Sequence, residues 1–548
     1  PAHRRLPKPL TAMRRIRLLV PLLLLLCTGK PQPLAASPRG EGIIEVRGRL
    51  IDIRQAQPGA EVFPQYKRNR FGKSLPARLE GMTYAVSLRE FRGPEAVRAS
   101  KPCDLLLALS GARPDTTQWL PTGEGFFVDK TRYRLYRRSY DTPGRWLELP
   151  SQQEGPSCLL FAENLRVAGT APVPGVVIAQ VRELRHTHIT NPNLLILPDG
   201  SYLAACSGAN LQRNVDFYRS TDRGATWKHW SRGRYPINFY TVFLHQGALY
   251  MMGTATPQGD IIICRSDDMG RTWSFPDETR SDEGILRRGK YHSAPVPVVV
   301  HGGRIWRAME TNTPGEQRRA FVMSAPVGAD LMQASSWRLS EQLDYDPAWI
   351  DGNRFRQWIE GNIVVAPDQS LVNVLRVDEH TCGRSAAIVR VLSPERLAFD
   401  PRRDIVEMPG GGKKFTIRYD SLSQRYWSLT SVVCEKFRGL AHGGIYANGI
   451  HCGLIRNTLA LISSEDLRRW DVERIVIRSD NPFFDGFQYI DWQFDGDDLI
   501  AVIRLAVEEP RGLPNRQHDA NFLVFKRIER FREPGAAVPD NVRTLHKP

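Results

Sequence analysis

Two stretches of eight residues, Ser220-Thr221-Asp222-Arg223-Gly224-Ala225-Thr226-Trp227 and Ser266-Asp267-Asp268-Met269-Gly270-Arg271-Thr272-Trp273, share the pattern Ser-x-Asp-x-Gly-x-Thr-Trp and lie 46 residues apart. Each follows a β-rich run. The pattern predicts a turn in which the Asp carboxylate accepts bonds from nearby backbone N–H groups, the Gly adopts a positive φ and the Trp returns to the core. Two full matches at this spacing indicate a structural repeat about as long as one propeller blade.

From about residue 182, six segments can be aligned with each other, each with an apolar strand, a polar turn and a second strand. They begin near Thr190, Phe239, Ser293, Glu360, Phe415 and Gln488. Two later segments carry incomplete copies of the turn: Ser464–Trp470 lacks the Gly, and Asp330–Trp337 keeps less of it. Six such units over roughly 350 residues predict a six-bladed β-propeller.

The segment before these repeats has a different character. Residues 41–178 carry short alternating strands broken by Gly and Pro, and they contain no copy of the turn. This predicts a small β-sandwich-like accessory domain. Gly169–Gly175 holds two glycines and two prolines and is predicted to be a linker. The chain is thus expected to be all-β, with the accessory domain before a propeller over 182–535 and a tail over 536–548.

The charge of the chain limits the classes of partner. It has 75 Lys and Arg against 59 Asp and Glu, a net charge of +16. This excess favours an anionic partner such as an acidic glycan, although a basic protein without such a partner has the same composition. The basic residues are dispersed and no nucleic-acid-binding motif occurs, which argues against nucleic acid. His186 and His188 alternate without a third ligand, so we expect no metal and no cofactor.

The N-terminal region has the features of an export signal. Met13–Arg17 is positively charged, Leu18–Leu26 is a short apolar run, and Ala35–Ser37 offers a cleavage site. We expect residues 1–12 to be an upstream extension and residues 13–37 to be removed on export to the periplasm or the cell exterior. The apolar run is too short to span a bilayer. Lipidation at Cys27 is a weaker alternative, because Leu26 is bulky for that cleavage site.

Seven cysteines follow Cys27 and are widely spaced, which predicts neither a metal cluster nor a dense disulfide framework. Most are expected to be buried free thiols. In an oxidising compartment one bridge could form, either Cys434 with Cys452 or Cys103 with Cys158. We expect the chain to be a monomer.

The repeated turns resemble the Asp boxes of the sialidase (neuraminidase) superfamily, in which they lie far from the site and identify only the scaffold. The resemblance implies a Glu at the start of an inner strand in the fourth blade and an Arg 16 residues later, which Glu360 and Arg376 match. It implies a second Arg before a strand that runs into the fifth-blade turn, which Arg456 matches. The family's nucleophilic Tyr, at the start of the sixth blade, corresponds to Tyr489.

These residue types together suit the hydrolysis of an acidic sugar. Two arginines present planar forks that bind a carboxylate in a bidentate way. A neutral Tyr can approach the anomeric carbon of an anionic sugar without repelling the sugar carboxylate, and a neighbouring Glu takes its proton. Sialidases with a Tyr nucleophile are an exception to the two-carboxylate scheme of glycosidases.

The first blade departs from the sialidase pattern. Thr190 stands where the resemblance implies an arginine, so Arg185 or Arg213 would have to replace it. The acid/base Asp has no clear counterpart. Asn214 lies at the expected spacing, and Asp216, two residues later in a predicted strand, is the remaining candidate for the acid.

Residues at or before the starts of the inner strands are expected to converge on one face of the propeller. The further substrate-binding candidates on this basis are Arg185, His188, His292 and Asp491. The main candidates also have a structural interpretation: the arginines can pair with surface acids, Glu360 can accept bonds from backbone N–H groups, and Tyr489 can be a core aromatic. Asp495–Asp498 predicts a hairpin turn rather than a calcium loop. Whether His518 and Asp519 close the propeller or line its rim is left open.

We therefore expect an exported, retaining glycoside hydrolase of the exo-sialidase type that acts on a terminal acidic sugar of a glycan or glycoconjugate, with Tyr489 as nucleophile and Glu360 as its base. Two alternatives stay open. One is a propeller hydrolase with a different sugar specificity, which Thr190 and the histidines favour. The other is a non-catalytic glycan-binding propeller, which the unclear acid and the separate β module favour.

Overall fold

The computed structural model describes residues 42–64, 69–88, 91, 93–111, 114–150, 158–234, 236–276, 283–378, 384–434 and 452–535. The predicted export signal, Cys27 and the C-terminal tail lie outside these residues. The described chain is nearly all β, and from Gly42 onward it belongs to one compact unit. Its helices are short: the 3-10 helices Ala77–Leu79, Ala334–Ser336, Pro347–Trp349 and Cys452–Leu454, and the α-helix Pro401–Asp404. None of the helices in the described ranges has the length and apolar character needed to cross a membrane.

The N-terminal part contains two sheets that pack face to face. The first has the order β10-β1-β4-β8, with strands Leu165–Val167 (β10), Ile44–Arg47 (β1), Ala96–Ala99 (β4) and Leu147–Glu148 (β8). The second has the order β2-β3-β9-β5-β7-β6, with strands Ile51–Gln55 (β2), Thr83–Ser87 (β3), Leu159–Phe161 (β9), Cys103–Leu109 (β5), Thr131–Tyr140 (β7) and Leu120–Val128 (β6). Val46 of the first sheet and Leu107 of the second lie in one shared core. The two sheets thus bury apolar side chains against each other.

In the described part of the chain, residues 176–528 form six antiparallel sheets that follow one another in sequence. Sheet 1 contains Thr190–Ile196 (β12), Tyr202–Ser207 (β13), Val215–Ser220 (β14) and Lys228–Arg232 (β15). Sheet 2 contains Asn238–His245 (β16), Ala248–Thr254 (β17), Ile261–Ser266 (β18) and Ile285–Arg287 (β19). Sheet 3 contains Tyr291–His292 (β20), Val299–His301 (β21), Arg304–Thr311 (β22), Ala320–Pro326 (β23) and Arg338–Leu339 (β24).

Sheets 4 to 6 continue the same plan. Sheet 4 contains Gln357–Val365 (β25), Leu371–Asp378 (β26), Ser385–Val391 (β27), Leu397–Ala398 (β28) and Ile405–Glu407 (β29). Sheet 5 contains Thr416–Asp420 (β30), Arg425–Ser431 (β31), Thr458–Ser464 (β32) and Asp471–Arg478 (β33). Sheet 6 contains Gly486–Asp495 (β34), Asp498–Ala506 (β35), Phe522–Ile528 (β36) and Val176–Gln180 (β11).

The strand β11 completes the last sheet by pairing with β36. The boundary predicted at residue 178 therefore falls inside β11, and the second part of the chain starts with this strand. Hydrogen bonds also join the two parts: the Leu513 N–H donates to Asp52 Oδ1 over 3.2 Å, and the Val167 N–H donates to the Pro510 carbonyl over 2.9 Å.

The strand predicted to begin near Ser293 is absent from the described residues at that place. The first strand of sheet 3 is split into β20, which ends at His292, and β21, which begins at Val299. The intervening Pro295 and Pro297 have no N–H group to donate to a neighbouring strand, which explains the break.

The two copies of the repeated turn have the same hydrogen bonds. In each, the Thr N–H donates to the Asp Oδ1 and the Gly N–H donates to the Ser Oγ, over 2.8–2.9 Å. Gly224 and Gly270 have φ values of 91° and 85°. In the incomplete copy Leu467 takes the positive φ, 65°, and Trp470 Nε1 donates to its carbonyl. The turns follow the third strands of sheets 1, 2 and 5.

A β-bulge recurs near the start of the first strand in sheets 1, 2, 4 and 6, where the strand register shifts. The second residue of each bulge has a positive φ: 50° at Asn191, 52° at Phe239, 60° at Glu360 and 51° at Tyr489. This conformation is uncommon for residues other than Gly, and bulges re-aim side chains. The bulges thus turn the side chains of these four residues, which occupy equivalent places in their sheets, away from the directions that a regular strand would give them.

Hydrogen bonds near these bulges connect each sheet to the next. The links, in order from sheet 1, are Asn193 to Tyr240 and Val242, Thr241 to Val296, Glu310 to Gly361, Asn362 to Phe415 and Ile417, Thr416 to Ile490, and Asp491 to Leu194. The last link joins sheet 6 to sheet 1. In five of the six links, the bonding side chain lies at a strand start or within three residues after a strand start or a bulge. The starts of the first strands therefore hold neighbouring sheets together.

Two local expectations have a clear outcome. Asp495–Asp498 is a hairpin turn, because β34 ends at Asp495, β35 begins at Asp498 and Gly496 has φ 67°. The thiols of Cys103, Cys158 and Cys434 are free, so neither bridge suggested by the sequence is formed.

Candidate functional site

A cavity of about 450 Å³ lies where the bulges of sheets 1, 2, 4 and 6 meet. This volume is in the range of small-ligand sites. Its polar and charged wall includes His188, Asn191, Gln212, Arg213, Glu360, Tyr489, Arg504 and His518. Its apolar wall is formed by Pro236, Phe239, Pro257, Ala294 and Pro295. All four residues with positive φ at the bulges line the cavity.

Tyr489 and Glu360 are joined directly at this cavity. The Tyr489 Oη donates to Glu360 Oε1 over 2.7 Å, and Arg376 Nη1 donates to the other carboxylate oxygen, Oε2, over 2.9 Å. Glu360 and Arg376 are both buried, whereas the Tyr489 ring keeps some exposure in the cavity. The carboxylate therefore holds a phenol and a guanidinium at once, each on its own oxygen.

The protonation of this pair follows from its surroundings. Burial alone would raise the pKa of Glu360, but the charges of Arg376 and His292 and the hydrogen bonds from Arg376 and Tyr489 outweigh burial and lower the pKa to about 2. Burial and the Glu360 charge raise the pKa of Tyr489. At neutral pH the pair is thus a carboxylate and a neutral phenol. In this state Glu360 can accept the phenol proton if Tyr489 attacks an electrophile.

Two further buried arginines flank the Tyr489 ring. The guanidinium carbon of Arg456 lies 5.4 Å from the ring centroid, and that of Arg504 lies 5.0 Å from it. Both side chains are almost fully buried, with residue exposures of 4% and 3%. Cations at such distances over an aromatic face are attracted by it.

Neither Arg456 nor Arg504 pairs with a carboxylate among the described residues. Arg456 donates to Gln488 Oε1 and to the Gly453 carbonyl, and Arg504 donates to the His518 carbonyl over 2.6 Å. The Arg504 Nε has no hydrogen-bond partner. Burial lowers the pKa of both side chains, that of Arg504 to about 10. Buried charges without a counter-ion are costly, so an anion in the cavity would be favourable here.

Arg504 was not among the sequence-predicted site residues, although the sheet register gives it a place equivalent to Arg376. Arg376 is opposite Ile359 and Arg504 is opposite Gln488, and each of these partners directly precedes the positive-φ residue of a bulge. The sequence signal was a single arginine inside the apolar strand β35. His518, whose place the sequence left open, lines the cavity.

The structure places Asp216 away from the cavity wall. It lies in β14 and is only 1% exposed, and its carboxylate accepts hydrogen bonds from Asn210 Nδ2 over 2.5 Å and from Arg232 Nε over 2.6 Å. His229 Nε2 lies 3.0 Å from it. The Asp216 oxygens are thus already bound within sheet 1, and Asp216 is not among the described residues that line the cavity, where proton transfer would take place.

Arg185 and Asp491 also have partners outside the cavity. Arg185 donates to the Ile53 carbonyl over 2.9 Å and to Asp52, so it contacts the strand Ile51–Gln55 of the N-terminal part. Asp491 Oδ2 accepts the Leu194 N–H over 2.9 Å. Neither Arg185 nor Asp491, both predicted to bind substrate, is among the described residues that line the cavity.

The two predicted histidines differ in position. His188 lines the cavity. His292 is buried behind the bulge of sheet 2: its Nδ1 lies 2.9 Å from Glu310 Oε2, and its ring centroid lies 4.2 Å from that of Phe239. His292 thus packs against Phe239 from outside the cavity wall. Thr190 and Arg213 both line the cavity.

The chain matches no protein-family model, and no curated protein matches it. Solved structures show weak likeness. A protein of unknown function from Dyadobacter fermentans is 12% identical, with 66% of this chain and 99% of that chain covered and a TM-score of 0.43. A Penicillium chrysogenum α-L-arabinanase is 14% identical, with coverages of 67% and 100% and a TM-score of 0.40. A Hadza microbial sialidase is 13% identical, with coverages of 78% and 90% and a TM-score of 0.42. Values this low support no conclusion about the activity of this chain.

Proposed function

We propose that the six sheets are the blades of a closed propeller, that the N-terminal sandwich is an accessory domain, and that the cavity is the active site of a retaining glycoside hydrolase that removes a terminal acidic sugar. The observation that carries the proposal is the 2.7 Å hydrogen bond from Tyr489 to Glu360 beside three buried arginines. The link from Asp491 to Leu194 supports closure, because it joins the last sheet to the first.

The roles follow from the contacts. Tyr489 attacks the anomeric carbon and transfers its phenolic proton to Glu360, which Arg376 keeps ionised and in place. A neutral nucleophile suits a sugar whose own carboxylate would repel an anionic one. The covalent sugar–Tyr489 intermediate is then hydrolysed by water, which retains the configuration at the anomeric carbon.

The substrate charge follows from the charge balance of the site. Arg376, Arg456 and Arg504 contribute three buried positive charges and Arg213 on the wall adds a fourth, while Glu360 is the one carboxylate that a described wall residue contributes. The two arginines without a carboxylate partner, Arg456 and Arg504, are the natural ligands of a sugar carboxylate, since charge-assisted hydrogen bonds are the strong ones.

One observation favours a sugar specificity that differs from that of conventional sialidases. The third guanidinium comes from Arg504 in sheet 6, while Thr190 stands in the first sheet where the sialidase resemblance implies an arginine. The sugar carboxylate would therefore lie closer to sheet 6. A hexuronide is then a candidate substrate beside a sialoside.

The test is turnover of fluorogenic 4-methylumbelliferyl sialosides and hexuronides by the wild type, Tyr489→Phe and Tyr419→Phe. Tyr419 is 49% exposed in β30 and serves as the matched control. We expect the wild type and Tyr419→Phe to release product from at least one acidic glycoside, and Tyr489→Phe to be slower by at least about 100-fold. Equal rates for Tyr489→Phe and the wild type would remove Tyr489 from the mechanism. Binding on a glycan array without any product release would instead favour a non-catalytic propeller.

A further inference from the structure

The oxygen that departs from the sugar needs a proton, and the proposed roles of Tyr489, Glu360 and the arginines do not include supplying it. This inference rests on the proposed function. Among the described wall residues, Glu360 is the one carboxyl group, and both of its oxygens are already bound by Tyr489 and Arg376. Apart from the Tyr489–Glu360 pair, the described wall residues whose side chains can serve as an acid in one step and as a base in the next are the histidines at 188 and 518.

The two histidines differ in how far they are occupied. His518 Nδ1 lies 3.3 Å from Arg504 Nη2 and 3.2 Å from Asp519 Oδ1, so this nitrogen already has two partners. Neither ring nitrogen of His188 forms a hydrogen bond within the described residues, although the ring lies at the cavity. The centroids of the two imidazoles are 6.4 Å apart, and that of His518 is 6.4 Å from the Tyr489 ring.

The backbone at His188 is held tightly, which fixes where its ring enters the cavity. The next residue, Ile189, donates its N–H to the Ala520 carbonyl over 2.9 Å and so ties this segment to sheet 6. On the other side Gly208 approaches so closely that a Cβ there would lie 1.9 Å from the His188 carbonyl oxygen. An uncommitted side chain on a fixed backbone is what a proton-transfer group needs.

We propose that His188 is the acid/base residue of the hydrolase, in the place for which the sequence suggested Asp216. In the first step the bond from Tyr489 Oη to the anomeric carbon forms and the phenol proton passes to Glu360. The bond to the departing oxygen breaks, its electron pair stays on that oxygen, and the oxygen takes a proton from the His188 imidazolium.

The second step restores every group. Water adds to the anomeric carbon and gives one proton to neutral His188. The bond to Tyr489 breaks with its electron pair on Oη, which takes its proton back from Glu360. The sum is one glycoside and one water converted into one sugar and one alcohol, with His188 again an imidazolium.

The charges around His188 determine the pH at which it works. Burial lowers its pKa to about 4, helped by Arg504 from β35, Arg213 from the loop after β13 and Arg516 from the loop before β36, while Asp519 raises it. His518 also faces it. A sugar carboxylate bound at the arginines adds a negative charge and raises the pKa. Hydrolysis that needs the His188 proton is therefore faster at pH 5 than at pH 8.

The experiment compares two glycosides of one acidic sugar that the wild type hydrolyses: an alkyl glycoside, whose departing oxygen needs a proton, and a 2,4-dinitrophenyl glycoside, whose departing oxygen does not. The variants are His188→Gln and, as a matched control, His186→Gln, since the His186 side chain is 77% exposed. Circular dichroism and thermal midpoints verify that both variants fold.

We expect His188→Gln to lose about 100- to 10,000-fold in kcat/KM on the alkyl glycoside and less than about tenfold on the dinitrophenyl glycoside. The kcat/KM of His188→Gln for the alkyl glycoside should also no longer fall between pH 5 and pH 8, as that of the wild type does. Sodium azide should accelerate its turnover of the dinitrophenyl glycoside, because azide attacks the intermediate without a base. His186→Gln should behave as the wild type.

Equal losses on both glycosides with an unchanged pH profile would show that His188 is only structural and would overturn the assignment. Alkyl activity of His188→Gln within tenfold of the wild type would overturn it as well. A folded wild type that hydrolyses neither glycoside for any acidic sugar tested would instead overturn the proposed function, and the role of His188 with it. The wild-type rates thus distinguish failure of the His188 assignment from failure of the proposed hydrolase function.

Discussion

Replacing Arg504 with Met removes a buried guanidinium and keeps an unbranched apolar side chain. In the proposed complex Arg504 donates to the sugar carboxylate, and a hydrogen bond between charged groups contributes about 1.5–3 kcal/mol. Since each 1.36 kcal/mol changes a rate about tenfold, kcat/KM for an acidic glycoside should fall about 10- to 100-fold. Arg504 takes no part in the Tyr489–Glu360 hydrogen bond, so an uncharged substrate should lose less activity than an acidic one.

The same substitution should have the opposite effect on stability. Arg504 is 3% exposed without a carboxylate partner among the described residues, and burial lowers its pKa to about 10. The empty folded protein therefore pays for a charge that only substrate neutralises. Met removes that cost but leaves the His518 carbonyl without its donor. The net expectation is a free energy of unfolding higher by about 1–2 kcal/mol.

The assay measures kcat/KM for a hexuronide or sialoside and for its methyl ester with the wild type, Arg504→Met and Arg338→Met, together with urea unfolding. Arg338 is exposed in β24 and controls for the loss of an arginine elsewhere. We expect Arg504→Met to lose at least about tenfold more activity on the acid than on the ester. Equal losses on the acid and the ester, or a stability loss of several kcal/mol, would refute the role of Arg504 as a substrate ligand.

Two further substitutions test the electrostatics and the ring of sheets. Glu360→Gln should lower the free energy of unfolding by about 3–5 kcal/mol at pH 7, because Arg376 loses its buried partner. The pKa of Glu360 in the folded protein, about 2, lies below its value in the unfolded chain. The stability difference between the wild type and Glu360→Gln is therefore complete above about pH 5 and should shrink as the pH falls toward 2. An equal difference in urea unfolding at pH 7 and at pH 3 would contradict this expectation. Asp491→Ala should cost about 2–4 kcal/mol, because the Leu194 N–H loses its acceptor, while KM stays within about threefold; a large KM change at unchanged stability would return Asp491 to the binding site.

Much of the fold could be predicted from the sequence because its signals are local. The Ser-x-Asp-x-Gly-x-Thr-Trp turns depend on hydrogen bonds between residues of the same eight-residue stretch. The distance between the two turns along the chain predicted how many residues one sheet and the loop to the next sheet take up. The split strand of sheet 3 was missed, although Pro295 and Pro297 lie inside it, because an apolar run was read without regard to its missing N–H groups.

The site could be predicted only in part. The resemblance to the sialidase superfamily implied that Glu360, Arg376 and Tyr489 lie together, and in the structure Tyr489 and Arg376 each donate a hydrogen bond to Glu360. Arg504 and the exclusion of Asp216 depend on bulges, register and the pairing of distant strands. A one-residue shift in register moves a side chain to the other face, and no local pattern in a single sequence fixes that shift.

Covalent trapping of the sugar decides whether Tyr489 is the nucleophile. The wild type is incubated with fluorinated glycosyl fluorides of sialic acid and of hexuronic acids, whose fluorine next to the reacting centre slows release of the intermediate, and the digested protein is analysed by mass spectrometry. We predict a mass increase equal to one fluorosugar on the peptide that contains Tyr489, absent in Tyr489→Phe. Modification of Glu360 instead, or steady hydrolysis of the fluorides with no adduct on Tyr489, would contradict the proposed mechanism.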